Sequence, residues 1–245
     1  MKIKNKIKTE YSVFRKEVTW IEYAFWWMAR LIIIYALVKT LLAGDPDRLA
    51  LRLSAKLASA FALPLLHLLP RKVFLARLSY RVQTIAATML LLTAVFGQYK
   101  GWYSTVEWYD AYLHVLGCFL CVFAGYYLTM ALKRDTQPLQ PIVAAISGFG
   151  FSFFFAVGWE IFEFVSDTMI AGMNAQNWMF INSTELLSRF PDIEPQRYAL
   201  LDTMTDLIFG TAGSLAGGFA LFAYLCVKYK KNASRHKSEA DNDVR

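Results

Sequence analysis

Apolar residues in this chain come in blocks of about twenty, separated by short polar stretches rich in glycine, proline, lysine and arginine. Coiled into a helix, a block of about 20 residues is long enough to cross the hydrocarbon core of a bilayer. Six blocks are legible, at residues 21–42, 49–69, 78–98, 110–132, 141–164 and 201–227. The pattern predicts an all-α protein, a polytopic transmembrane helical bundle of six spans. The first block is longer than the apolar core of a cleaved signal peptide, so it reads as a retained span. The second is the weakest: Arg52 and Lys56 occupy its first two turns and Pro64 interrupts it. It crosses only if both basic side chains reach back to the near surface.

Turn signals agree with these boundaries. Gly44-Asp45-Pro46-Asp47, Pro70-Arg71-Lys72 and Gly97-Gln98-Tyr99-Lys100-Gly101 each end a block. Lys133-Arg134-Asp135, followed by Pro138 and Pro141, closes the fourth. Trp102, Tyr103, Trp108 and Tyr109 cluster before the fourth block, as amphipathic aromatics do at a membrane–water interface. The organisation expected is a basic N-terminus (1–19), one six-span domain (20–227) with a loop at 165–200, and a disordered tail (228–245). A loop that long is usually functional or disordered.

Composition supports this class and charge orients it. Of 245 residues, 56% are apolar and 18% charged, against about 25% charged in soluble domains. With both termini on one side, that side carries eighteen Lys and Arg residues and the other six, while Arg30 and Lys39 lie within the first span. Because cytoplasmic loops are the positive ones, both termini are expected in the cytoplasm, the protein being a multi-pass component of the bacterial cytoplasmic (inner) membrane. The net charge of +7 is thereby explained by topology, and no nucleic-acid partner is expected. The lipid bilayer is the partner expected first, and homo-oligomers stay open. Cys118, Cys121 and Cys226 all lie in apolar segments. Cys118-Phe119-Leu120-Cys121 lacks flanking ligands and reads as small buried residues.

The polar residues inside the blocks carry the chemistry. In Gly158-Trp159-Glu160-Ile161-Phe162-Glu163-Phe164-Val165-Ser166-Asp167, three carboxylates fall at i, i+3 and i+7, on one helix face. Asp110 and His114 are spaced i, i+4 at the start of the fourth block, and Asp202 and Asp206 repeat that spacing at the start of the sixth. Six alternating spans bring all seven to one depth, near the outer surface. Gly117, Cys121 and Gly125 continue one stripe and Gly210, Gly213 and Gly217 another, which lets neighbouring helices approach closely.

Six carboxylates in a small volume repel one another unless they take up protons or bind a cation. The oxygen-rich set with one imidazole suits a divalent metal, with Mg, Mn, Ca, Zn and Fe all open. Asp110, His114, Glu160, Glu163, Asp167, Asp202 and Asp206 are the candidate ligands, with Glu160, Asp206 and His114 as candidate catalytic groups. Such a site would support metal-assisted hydrolysis or group transfer on a lipid or envelope substrate. Arg189 and Arg197, in the long loop, are candidates for pairing with substrate phosphate. A proton- or cation-coupled transporter or sensor is the alternative, with Glu160 and Asp206 titrating, and a structural polar network is the third reading. Glycine, threonine, serine and aromatics dominate below the site, which disfavours a through-pathway. Ser152, Ser166 and Ser214 lack a placed histidine partner, His67 lies in the weak second block and His236 in the tail.

In combination these motifs resemble the YjdF-like family of bacterial integral membrane proteins, for which no activity is assigned. The matching pieces are Phe96-Gly97 with Tyr103; Trp108-Tyr109-Asp110-Ala111-Tyr112-Leu113-His114 with Gly117; Gly158-Trp159-Glu160-Ile161-Phe162-Glu163 with Asp167; Gly172-Met173-Asn174-Ala175-Gln176; and Asp202-Thr203-Met204-Thr205-Asp206-Leu207 with Gly210. They cover about residues 70–225. The layout is more loosely similar to VanZ-like membrane proteins. The resemblance implies a fold and site positions. Gln98 departs from the acid that the family pattern implies, and residues 177–201 have the character of an insertion.

Overall fold

The computed structural model describes residues 2–44, 49–106, 108–133, 137–170, 175–176 and 195–243. Among them the only regular structure is helical. Six helices are long and apolar enough to cross a membrane: Trp20–Ala43, Leu49–Leu68, Arg81–Tyr99, Tyr109–Leu132, Pro141–Met169 and Ala199–Asn232. The protein is therefore a multi-pass helical membrane protein. The second block does form a helix, but Pro64 lies inside it, and the last turn tightens to a 3₁₀ segment at Leu66–Leu68. Proline removes the backbone donor that would bond the Ala60 carbonyl, and that carbonyl accepts from the Arg30 guanidinium instead. The chain packs as two compact units, one of residues 1–109 and 123–140, the other of residues 110–122 and 141–245.

The first unit contains α1 (Lys2–Glu17), α2 (Trp20–Ala43), α3 (Leu49–Leu65) and α4 (Arg81–Leu90), which runs on as π-helical turns through Tyr99, then a short α5 (Trp102–Thr105). The start of α2 is fixed by a capping box, in which the Thr19 hydroxyl accepts from the Glu22 N–H and the Glu22 carboxylate accepts from the Thr19 N–H. Its end is fixed by Gly44 at φ 97°, a left-handed conformation that glycine adopts at little cost. Ile33, Ala36, Leu53, Ala94 and Val95 form the core of this unit. Its polar contacts concentrate at one end, where Arg71 pairs with Glu10 at 2.8 Å, Arg81 pairs with Glu22, and Glu17 accepts from Ser79 at 3.1 Å. Arg30 is buried within α2. Its guanidinium donates to the Ala60 carbonyl at 2.7 Å and lies over Trp27 and Phe61, the kind of pairing that makes a cation tolerable among apolar side chains.

The second unit is built from the first half of α6 (Tyr109–Leu132), from α7 (Pro141–Met169) and from α8 (Pro195–Asp243). Both α7 and α8 begin on a proline, whose fixed φ and missing N–H suit a first helical turn. Each helix buries one stripe. On α7 it runs Ala145, Gly148, Ser152, Ala156, Glu160; on α8 it runs Asp206, Gly210, Ser214, Gly217, Leu221. Glycines set the separation. A Cβ at Gly213 would stand 2.1 Å from the Val115 carbonyl oxygen, one at Gly148 would stand 2.5 Å from that of Val122, and one at Gly217 would stand 2.8 Å from that of Phe119. Each contact is backbone against backbone, so only a residue without a side chain fits. The residues of α6 that meet these glycines are Val115, Phe119 and Val122.

Candidate functional site

The buried stripes that pack the second unit end in the acidic residues. Ser152 donates to the Cys118 carbonyl at 2.7 Å, and the Ser214 hydroxyl, 2.8 Å from Ser152 and 2.9 Å from the Gly210 carbonyl, has one hydrogen to divide between those two oxygens. These hydroxyls are fully buried and fully partnered. They pin α6, α7 and α8 together two turns from Glu160 and from Asp206, with one residue of each stripe, Ala156 and Gly210, in between. Six of the seven candidate ligands stand on this frame: Asp110 and His114 on α6, Glu160 and Glu163 on α7, and Asp202 and Asp206 on α8.

Five of them converge. His114 Nε2 is 3.5 Å from Asp206 Oδ2 and 3.8 Å from Asp110 Oδ1. Asp110, His114 and Asp206 each offer a ligand atom within 4.8 Å of the other two, and so do Glu160, Glu163 and Asp206. Asp206 belongs to both sets. Glu160 is 5% and Asp206 4% exposed. Thr203 stands beside Glu160, yet neither Glu160 oxygen has a donor in hydrogen-bonding geometry, and Asp206 Oδ2 has none either. Buried carboxylate oxygens without donors are rare, because each forfeits the hydration it had in water. Glu163 differs: Trp159 Nε1 donates to its Oε1 at 2.7 Å and fixes its rotamer. Asp202, half-buried one turn before Asp206, is in neither set.

Asp167 has a different setting. It lies in the last turns of α7, and its two carboxylate oxygens accept the backbone N–H groups of Ala175 at 2.7 Å and Gln176 at 2.9 Å. The Gln176 side chain then donates to the Thr203 hydroxyl at 3.0 Å on α8. The chain leaving α7 is thus tied to α8 on the turn that carries Glu160's neighbour Thr203. Arg197 is exposed in the first turn of α8, and Arg189 lies outside the described residues. Gln98 sits in the π-helical turns of the first unit.

Trp159, Gln176, Thr203, Ser152 and Ser214 hold the candidate residues or the helices that carry them, and none of them stood out as a ligand in the sequence. The signal for the two serines is register: Ser152 precedes Glu160, and Ser214 follows Asp206, by two turns on the same face. For Gln176 the signal is its place in the Gly172–Gln176 motif, which does not show that its side chain reaches Thr203 on another helix.

Comparison with known proteins matches residues 24–228 to the family described as "Predicted membrane protein (DUF2238)". A protein of Thermotoga maritima described as uncharacterized is 27% identical over 135 residues, which cover 54% of this chain and 57% of that protein. The chain thus spans a little over half the length of the curated relative it matches. No solved structure matches.

Proposed function

The chain belongs to the family of predicted membrane proteins DUF2238, and from that premise we propose that its second unit is a divalent-cation site serving metal-assisted hydrolysis or group transfer at the outer face of a bacterial inner membrane. One observation carries this reading: Glu160 and Asp206 are buried, face the same small space, and have oxygens with no protein donor. A cation at that point would supply what the protein does not. It would balance the charge of Asp110, Glu160, Glu163 and Asp206 and satisfy their empty lone pairs.

The donor chemistry supports a hard or borderline metal, since it offers carboxylate oxygens and one imidazole and no thiolate. Such an ion activates water or polarises a phosphoryl or carbonyl oxygen. Arg197, exposed in the first turn of α8, is the cation we assign to an anionic substrate group, and a site near helix ends suits a lipid or envelope substrate. The alternative of ion or proton coupling has less support. Among the described residues of this unit the buried polar side chains below the carboxylates are Ser152 and Ser214, both hydrogen-bonded, and the close glycine contacts leave little room between the helices.

Metal analysis of detergent-purified protein tests the reading, with wild type beside the Glu160→Gln/Asp206→Asn double variant. Bound metal in wild type, lost in a variant of unchanged fold, supports it. Metal-free wild type after growth and purification in the presence of Mn2+ and Zn2+ would sink it. Chelator-sensitive release of headgroup or phosphate from phospholipid vesicles then tests the enzymatic half.

A further inference from the structure

The geometry points to two cations in this site, bridged by the Asp206 carboxylate; this rests on the cation-site reading above and sharpens it. A single ion imposes a limit on its ligands. With bonds of about 2.0–2.2 Å to Mg, Mn, Fe or Zn, the ligand atoms round one ion stand within about 4.4 Å of one another, which is the scale on which a set of three ligands closes. The five converging side chains close to within 4.8 Å as two sets of three, Asp110/His114/Asp206 and Glu160/Glu163/Asp206. Asp206 is the member common to both, and a carboxylate has two oxygens with which to serve two ions.

Three further features fit the pair. Four carboxylates, Asp110, Glu160, Glu163 and Asp206, carry a formal charge that two divalent ions balance, whereas one ion leaves half of it uncompensated beside the buried Glu160 and Asp206. The half-site of α7 has both Glu160 oxygens without a donor, so it is poised for ligation independently of the histidine set. The two half-sites also come from different helices, α6 and α7, each with its own second anchor: Asp110 shares His114's helix one turn away, and Trp159 holds Glu163. Two ions sharing a carboxylate are the arrangement that clamps the attacking and leaving oxygens of an in-line displacement, so phosphate esters or anhydrides become the substrate class to try first.

The test is a metal titration of the full chain in detergent, stripped with EDTA and reloaded with Mn2+, read by metal content and by electron paramagnetic resonance. About two Mn2+ per chain with an exchange-coupled spectrum is the expected result. His114→Ala and Glu163→Gln should each lower the content to about one and abolish the coupling, and Asp206→Asn should abolish the coupling as well. Thermal unfolding of each variant in EDTA, where no metal contributes, checks that it folds. One Mn2+ per chain overturns the two-ion site and leaves the single-cation reading standing. Two uncoupled Mn2+ overturn the bridge. No bound Mn2+ overturns both readings.

Discussion

His114 Nε2 lies 3.5 Å from Asp206 Oδ2, joining α6 to α8 across most of the length of the second unit's sequence. That distance is longer than a hydrogen bond and typical of two ligands on one ion. The same nitrogen faces Asp110 Oδ1 at 3.8 Å, so a ring held between two carboxylates has its Nε2 turned toward the space they enclose.

The first expectation concerns stability with and without cation. In EDTA at alkaline pH, where they cannot relieve the strain by taking up protons, the wild-type carboxylates repel one another, so removing one charge with the isosteric Asp206→Asn raises stability, by on the order of 1 kcal/mol. In saturating Mn2+ or Zn2+ the order reverses, because wild type gains about 2.7 kcal/mol at a hundredfold excess over the dissociation constant and the variant gains much less. Melting curves in detergent, run with both proteins in both conditions, read this crossing directly. A variant that gains as much from cation as wild type would remove Asp206 from the site.

Helix packing gives a second, independent expectation. Gly213→Ala sets a methyl 2.1 Å from the Val115 carbonyl oxygen, and relief requires moving backbone. A loss of about 3 kcal/mol or more follows, in the range reserved for severe overpacking. Gly218→Ala on the same helix meets nothing within 4 Å and gains about 1 kcal/mol of helix propensity. Side-by-side thermal unfolding separates the two.

The serine pair should be coupled. Ser152→Ala leaves the Cys118 carbonyl and the Ser214 hydroxyl without their partner, which costs about 1–3 kcal/mol. Ser214→Ala alone costs less, because Ser152 keeps its bond to the Cys118 carbonyl and the Gly210 carbonyl remains bonded within its helix. The double variant should lose less than the sum of the two, by about 0.5 kcal/mol or more. Strict additivity would show that the hydroxyls act separately.

Asp167→Asn tests the tie between α7 and the chain that follows it. The amide oxygen accepts one of the two N–H groups now held by the carboxylate oxygens, and the charge-assisted strength of the other is lost. Limited proteolysis should cut the segment between α7 and α8 several-fold faster in the variant, while metal content changes little. A loss of metal equal to that of Asp206→Asn would place Asp167 among the ligands.

Much of this was legible along the chain. Block length alone predicts six helices, because crossing a bilayer requires about 20 apolar residues and every backbone donor bonded within its own helix. The i, i+3 and i, i+4 spacings announce which carboxylates share a face, since that follows from helical periodicity. The glycines of α8 mark its packed side for the same reason, and Gly210, Gly213 and Gly217 do meet α6 closely. The partner stripe was harder to read. The spacing pointed to Gly117, Cys121 and Gly125 on α6, whereas the side chains and carbonyls against these glycines belong to Val115, Cys118, Phe119 and Val122, because apolar side chains pack against a neighbour as readily as against lipid.

What the sequence determined by itself was the set of helices and the faces on which their charges lie. Both are local properties, fixed by hydrophobicity and by 3.6 residues per turn. What only the tertiary structure decided was how those charges divide: Asp206 common to two sets, Glu160 buried without a donor, Glu163 held by Trp159, and Asp167 committed to the backbone of Ala175 and Gln176. Those assignments depend on the distance and rotation between helices, which close backbone contacts at Gly148, Gly213 and Gly217 set. No periodicity along one helix encodes the rotation of another against it.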